Sequence, residues 1–143
     1  MSLFKTAAVL STSLFLFSCS TAATNNTDVS PAVIELIQLQ NKWQLVNIDQ
    51  QAVDAEINST ITIDAQSKAT GNLACNNFFG ALELHNNQLR IEKMGSTRKM
   101  CRRQTNEVEM VVASVLADWS DIQLNEQTLI LTGKEHKLTY QSK

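Results

Sequence analysis

Three cysteines carry most of the chemistry legible in this chain of 143 residues. Cys19 closes the run Leu16-Phe17-Ser18-Cys19, behind a charged Lys5 and a mostly apolar stretch from Ala7 to Phe17. A charged n-region, a short h-region and a small residue before the cut describe an export signal. A cysteine directly after the small residue is what lipoprotein processing needs, because its thiol takes the diacylglycerol before cleavage. The expectation is acylation at Cys19, palmitate among the chains, with residues 1–18 removed as the signal peptide. The apolar run is too short for the ~20 residues of a membrane span, and Ser11, Thr12 and Ser13 interrupt it. Simple secretion, with a cysteine nearby by chance, stays open. Ser20 follows the cysteine where retention at the inner membrane calls for Asp, so the expected location is the outer membrane, facing the periplasm.

Cys75 and Cys101 remain once Cys19 is acylated. In an oxidising compartment such an even pair reads as a disulfide. Closing a loop of 27 residues stabilises a fold by about 3.5 kcal/mol on the chain-entropy argument. The spacing is far from CxxC and no histidine is close in sequence, so a redox dithiol or zinc site lacks its usual neighbours.

Around these two cysteines lie the dense runs Gly71-Asn72-Leu73-Ala74-Cys75-Asn76-Asn77-Phe78-Phe79-Gly80 and Met94-Gly95-Ser96-Thr97-Arg98-Lys99-Met100-Cys101. Asn76 and Asn77 either line a pocket or fix a turn through side-chain-to-backbone bonds. Thr97 and Arg98 either grip an anion, or Arg98 packs its stem and satisfies carbonyls beside the disulfide. Arg98, Lys99, Arg102 and Arg103 form the one basic cluster: a solvated loop, or a contact for phosphate head groups. His85 and His136 have no neighbours of metal-ligand spacing and read as surface residues. No Ser/His/Asp order, phosphate-binding glycine loop or carboxylate pair appears. The chain is expected to be no enzyme and to need no cofactor or metal. After loss of the signal, 11 basic and 14 acidic side chains remain, a balance that gives no reason to expect nucleic acid as a partner.

These residues need a scaffold to hold them. From Ser20 to Ser30 the chain is small and polar, which describes a flexible tether over residues 19–30. The remaining 31–143 suit one domain with a core of its own. Ser30-Pro31 reads as a helix start, followed by the apolar Val33, Ile34, Leu36 and Ile37. After Asn41 the period changes to that of strands: Lys42 to Asp49, Thr60 to Asp64, then Leu82/Leu84, Leu89/Ile91, Ile122/Leu124, Leu129/Leu131 and Leu138/Tyr140. Gly71, Gly80, Gly95 and Gly133 fall at expected strand boundaries or turns, which favours antiparallel hairpins. Val108, Val111, Val112, Val115, Leu116 and Trp119 follow helical spacing, with Asn106 and Glu109 as a capping box. The expected architecture is α+β: one curled, barrel-like antiparallel sheet packed by a long helix, with a short N-terminal helix.

The two dense runs resemble the META domain of HslJ-like heat-shock lipoproteins, over roughly residues 41–141. Gly71, Cys75, Asn76, Phe78 and Gly80 match the first motif of that family; Thr97, Arg98, Met100 and Cys101 match the second, followed by Glu107. The resemblance implies a barrel-like sheet with a packed helix and an association with heat and envelope stress, including antibiotic tolerance. It brings no agreed catalytic residues. The expected function is a membrane-tethered module that supports the envelope by binding a lipid, peptide or protein partner. The alternative is a periplasmic holdase or secretion accessory shielding apolar segments, for which Phe78-Phe79 is the sequence hint.

Overall fold

Alternation of apolar and polar residues decides the fold, because each strand can bury only every second side chain. The computed structural model describes residues 32–143; Cys19, the signal peptide, the tether and the Ser30-Pro31 helix start lie outside them. The strands are β1 (Asn41–Ile48), β2 (Gln51–Ala52), β3 (Thr60–Ile63), β4 (Lys68–Asn72), β5 (Asn77–His85), β6 (Gln88–Ser96), β7 (Ser120–Leu124), β8 (Thr128–Thr132) and β9 (Lys137–Ser142). Every pairing is antiparallel, β1-β3-β4-β5-β6-β7-β8-β9 in order, and β9 pairs back to β1 through Trp43↔Ser142 and Leu45↔Tyr140. The sheet is therefore an eight-stranded barrel, with β2 a short ribbon added beside β1. The barrel-like sheet expected from the sequence is here a closed ring, and the fold is mainly β, a correction to the α+β assignment. Hydrogen bonds between the first and last strands leave no local sequence pattern, so closure is invisible to periodicity.

Inside the barrel sit Trp43, Leu45, Ile61, Ile63, Leu89, Ile91, Leu129, Leu131, Leu138 and Tyr140, all buried. Trp43 Nε1 donates to the Leu39 carbonyl at 2.9 Å, the partner a buried indole needs. The Tyr140 hydroxyl has no partner among the described residues, and its burial pushes its pKa well above the usual tyrosine range.

Helix α1 (Leu36–Leu39) is shorter than expected and starts later, with Glu35 as its N-cap. The Glu35 N–H donates to Gln38 Oε1 at 2.8 Å. Helix α2 (Arg103–Ala117) lies between β6 and β7 in the chain. It packs on β6 and β9, while β6 and β7 pair only at Gln88↔Asp121 and Leu89↔Ser120. Valine disfavours a helix by under about 0.7 kcal/mol each, whereas a buried aliphatic side chain gains roughly 1.5–3 kcal/mol. Val112, Val115 and Leu116 are buried, so packing decides. No helix among the described residues is long and apolar enough to cross a membrane.

Two hairpin turns place a pair of non-glycine residues at positive φ. Asp49-Gln50 joins β1 to β2 and Asn86-Asn87 joins β5 to β6, all four residues at positive φ. That is the backbone of a two-residue turn matched to strand twist. Gly71 and Gly95 are penultimate in their strands, and Gly133 follows β8. Gly80, expected at a boundary, sits inside β5 at a bulge, where register shifts between Phe79 and Ala81. Steric room explains two of these positions. A Cβ on Gly71 would run into the Thr60 carbonyl oxygen, and one on Gly95 would meet the Phe79 ring at 2.7 Å.

Candidate functional site

The two motif runs meet at one end of the barrel, where β4 turns into β5 and β6 leads to α2. A disulfide joins Cys75 to Cys101, with Cα atoms 6.1 Å apart. Between the cysteines runs a polar brace centred on Asn76, which is buried. Its Oδ1 accepts from Thr97 Oγ1 at 2.8 Å and from the Lys99 N–H at 2.7 Å. Its Nδ2 donates to Glu109 Oε1 at 2.9 Å. Glu109 Oε2 accepts the successive backbone N–H groups of Cys75, at 3.1 Å, and Asn76, at 2.7 Å.

Two adjacent N–H groups converging on one point form an anion-binding concavity, and here the anion is the chain's own carboxylate. The preceding Ala74 adopts φ 138°, a costly conformation for a residue with a Cβ. Asn72 supports it by accepting from the Ala74 N–H at 2.9 Å. The Asn76 side chain takes neither of the two expected roles: it fixes the β4–β5 turn to distant segments, at Thr97, Lys99 and Glu109. The Asn77 side chain bonds within the turn, its Oδ1 accepting from Asn72 Nδ2 at 2.8 Å, while its N–H donates to Thr97 Oγ1 at 3.2 Å.

Glu109 is the residue that the capping-box assignment misplaced. The N-cap of α2 is Arg102, with no side-chain cap, so Asn106 and Glu109 lie inside the helix. A sequence signal existed: Glu109 is three residues before Val112 and seven before Leu116, so it shares their face. An acid on a buried stripe needs a partner, and the Cys75–Asn76 amides supply it. The start of α2 is electrostatically unfavourable, since Arg102 and Arg103 oppose the positive end of the helix dipole. The Cys101 disulfide and Glu109 hold this helix from outside its own first turn.

The other motif residues divide. Phe78 is buried in the core, whereas Phe79 is 59% exposed. Arg98 is exposed and hydrogen-bonds to nothing among the described residues, which removes the alternative in which it satisfies carbonyls beside the disulfide. Lys99 and Arg102 are exposed too; Arg103 pairs with Glu107 one turn on at 2.9 Å. Met100 is fully exposed. Beside it a groove runs between the first half of α2 and the β1–β2 ribbon. Ile48, Val53, Val108 and Val111 form its floor, and Asp54 and Glu107 stand on its rim.

The histidines sit apart from this brace. His136 Nδ1 meets Asp49 Oδ2 at 2.7 Å, and Asp49 Oδ1 accepts the Lys137 N–H at 2.8 Å, tying the β1–β2 turn to the β8–β9 turn. The His136 bond first, then the Lys137 N–H, holds the Asp49 carboxyl below its ordinary pKa. His85 Nε2 pairs with Asn86 Nδ2 at 2.9 Å. Among the described residues no three His, Cys, Asp or Glu converge as metal ligands would.

Comparison with known proteins completes the description. The META domain matches residues 35–143. The chain is 25% identical over 138 residues to the heat shock protein HslJ of Escherichia coli (strain K12), covering 95% of this chain and 94% of that protein. A protein structure solved by NMR, 25% identical, superposes with a TM-score of 0.67 over 76% of this chain and 95% of its own. An NMR structure of a protein from Burkholderia xenovorans, 22% identical, gives 0.61 over 84% and 96%, respectively.

Proposed function

The chain belongs to the META domain family, and from that premise we propose that it is a lipid-anchored envelope protein whose barrel binds a partner without catalysis. Cys19 is its acylation site, and the outer membrane, periplasmic side, is where it works. Its role is to support the envelope under heat and antibiotic stress, in keeping with its likeness to a heat shock protein.

One observation carries the binding part of this reading. Asn76, Thr97 and Glu109 are consumed by one another, while Met100 faces solvent beside an apolar groove with a charged rim. Motif side chains locked into a brace can position a surface, and a solvent-facing methionine adapts to varied apolar contacts. The partner contacts Met100 and the groove, and is a peptide, protein or lipid. A photo-reactive side chain in place of Met100 should cross-link that partner in heat-stressed cells, and Val53→Glu in the groove should abolish the adduct. An adduct unchanged by Val53→Glu would overturn the groove assignment. For the anchor, Cys19→Ser should end palmitate labelling and stable membrane association; labelling that persists would sink it.

The apolar groove floor also favours a second reading, a holdase that shields unfolded segments. It requires the protein to suppress aggregation of a heat-denatured reporter at stoichiometric ratio, and Val53→Glu to remove that activity.

A further inference from the structure

The chain enters the barrel at the end opposite the motif brace. The Asn87 side chain, in the β5–β6 turn, accepts the Ile34 N–H at 2.7 Å and donates to the Ala32 carbonyl at 3.1 Å. The brace lies at the other end of β5, beyond Asn77. Nine residues of strand separate the two, about 30 Å at ~3.3 Å per residue.

The entering segment is divided in its packing. Ile34, Leu36 and Leu39 pack on the core, yet Val33 is 71% and Ile37 68% exposed. This end carries charges of both signs, Lys42, Lys68 and Lys143 with Glu35, Asp64, Asp121 and Glu126. The brace end also mixes signs: Asp54 and Glu56 line the same cleft as Met100 and Arg102, near the exposed Arg98 and Lys99. Charge does not set the two ends apart, so the exposed Val33 and Ile37 suit a surface met through its hydrocarbon.

The occupant follows from where the chain leads. Twelve residues separate Cys19 from Ala32, a span of at most about 40 Å. Two aliphatic side chains are too few to hold a protein on a bilayer alone. A covalent anchor at that distance supplies a high effective concentration, so a weak contact is enough to set orientation. We propose that the barrel end bearing Val33 and Ile37 rests on the bilayer that holds the anchor, turning Met100 and the groove away from it. The proposal rests on acylation at Cys19.

The test uses the full-length acylated protein in phosphatidylcholine vesicles. With Cys75 and Cys101 bridged and Cys19 acylated, an introduced cysteine is the one free thiol. Ala65→Cys, exposed in the β3–β4 turn at the entry end, and Met100→Cys each take an environment-sensitive fluorophore. Spin-labelled lipid should quench the label at position 65 several-fold more than the label at 100, at low and high salt alike. Adding Val33→Ser and Ile37→Ser should lower quenching at 65 while the protein still floats with the vesicles. Equal quenching at both positions would overturn the proposal, as would stronger quenching at 100, which would give the bilayer to the brace end. A dimer that shields position 65 from lipid would give Val33 and Ile37 to a second copy. A wild-type chain that carries no acyl mass and does not float would instead defeat the anchor itself, and this contact with it.

Discussion

The two ends of this barrel are closed by different means. At the brace end, closure is polar and cross-linked: one disulfide, a carboxylate on two backbone amides, and an asparagine with every side-chain atom engaged. At the entry end, closure is apolar, with Leu39 and Trp43 packed together and one asparagine side chain fastening the incoming segment. Hydrogen-bonded closure depends on residue type at each position, whereas hydrophobic closure tolerates exchange of one aliphatic residue for another. That contrast accounts for a sequence motif at one end and none at the other.

The comparison yields a ranking of effects. Val112→Asp places an unpaired charge in the core beneath α2, so it should cost more than about 4 kcal/mol and unfold both ends together in urea. Less damaging, Cys75→Ser should cost about 2–5 kcal/mol. Amide exchange should then accelerate in residues 72–77 and 97–103 ahead of residues 32–40; uniform acceleration would mean the ends are not independent. Glu109→Gln turns an amide donor or a weaker acceptor toward the Cys75 and Asn76 N–H groups. A loss of about 2 kcal/mol is expected, again confined to the brace end, and a neutral result would show that the carboxylate is not needed there.

At the entry end, Asn87→Gly, which keeps the positive φ of that turn, should cost about 1 kcal/mol or less, releasing residues 32–35 while thermal unfolding barely changes. The smallest effect concerns pH. Asp49 has its pKa lowered on folding, by His136 first and Lys137 second. Its contribution is therefore present above the unfolded carboxyl value, near 3.9, and fades as pH falls through the lower folded value. Below about pH 4 the wild type should lose a little stability that Asp49→Asn never had, as paired acid titrations of the two would show.

Much of the fold was legible in the sequence, for identifiable reasons. Ile61/Ile63, Leu129/Leu131 and Leu138/Tyr140 alternate between core and surface, and period-two alternation needs no tertiary information. The α2 stripe was equally plain. By contrast, β4 reads Lys-Ala-Thr-Gly-Asn, where one alanine is all that marks the inner face, so it escaped notice. Helix α1 begins only at Leu36, because residues 32–35 are spent on bonds to Asn87 and on the Glu35 cap, which no local sequence signal announces. Glu109 was misread because a local cap and a long-range partner both ask for an acid near a helix beginning; only the face it shares with Val112 and Leu116 separates them.

The pairing of β1 with β9 carries a consequence in time. Trp43 and its partner Ser142 are among the first and last residues of the domain to leave the ribosome. Ring closure spanning almost the whole domain comes late, because distant segments meet slowly. Until β9 arrives, β1 keeps one open edge, a template for wrong pairing. Cys75 and Cys101 are far closer in the chain than Trp43 and Ser142, so in an oxidising compartment their clamp organises the middle of the domain before the ring closes. Bridging the cysteines early would shorten the interval in which the unfinished ring is exposed to aggregation.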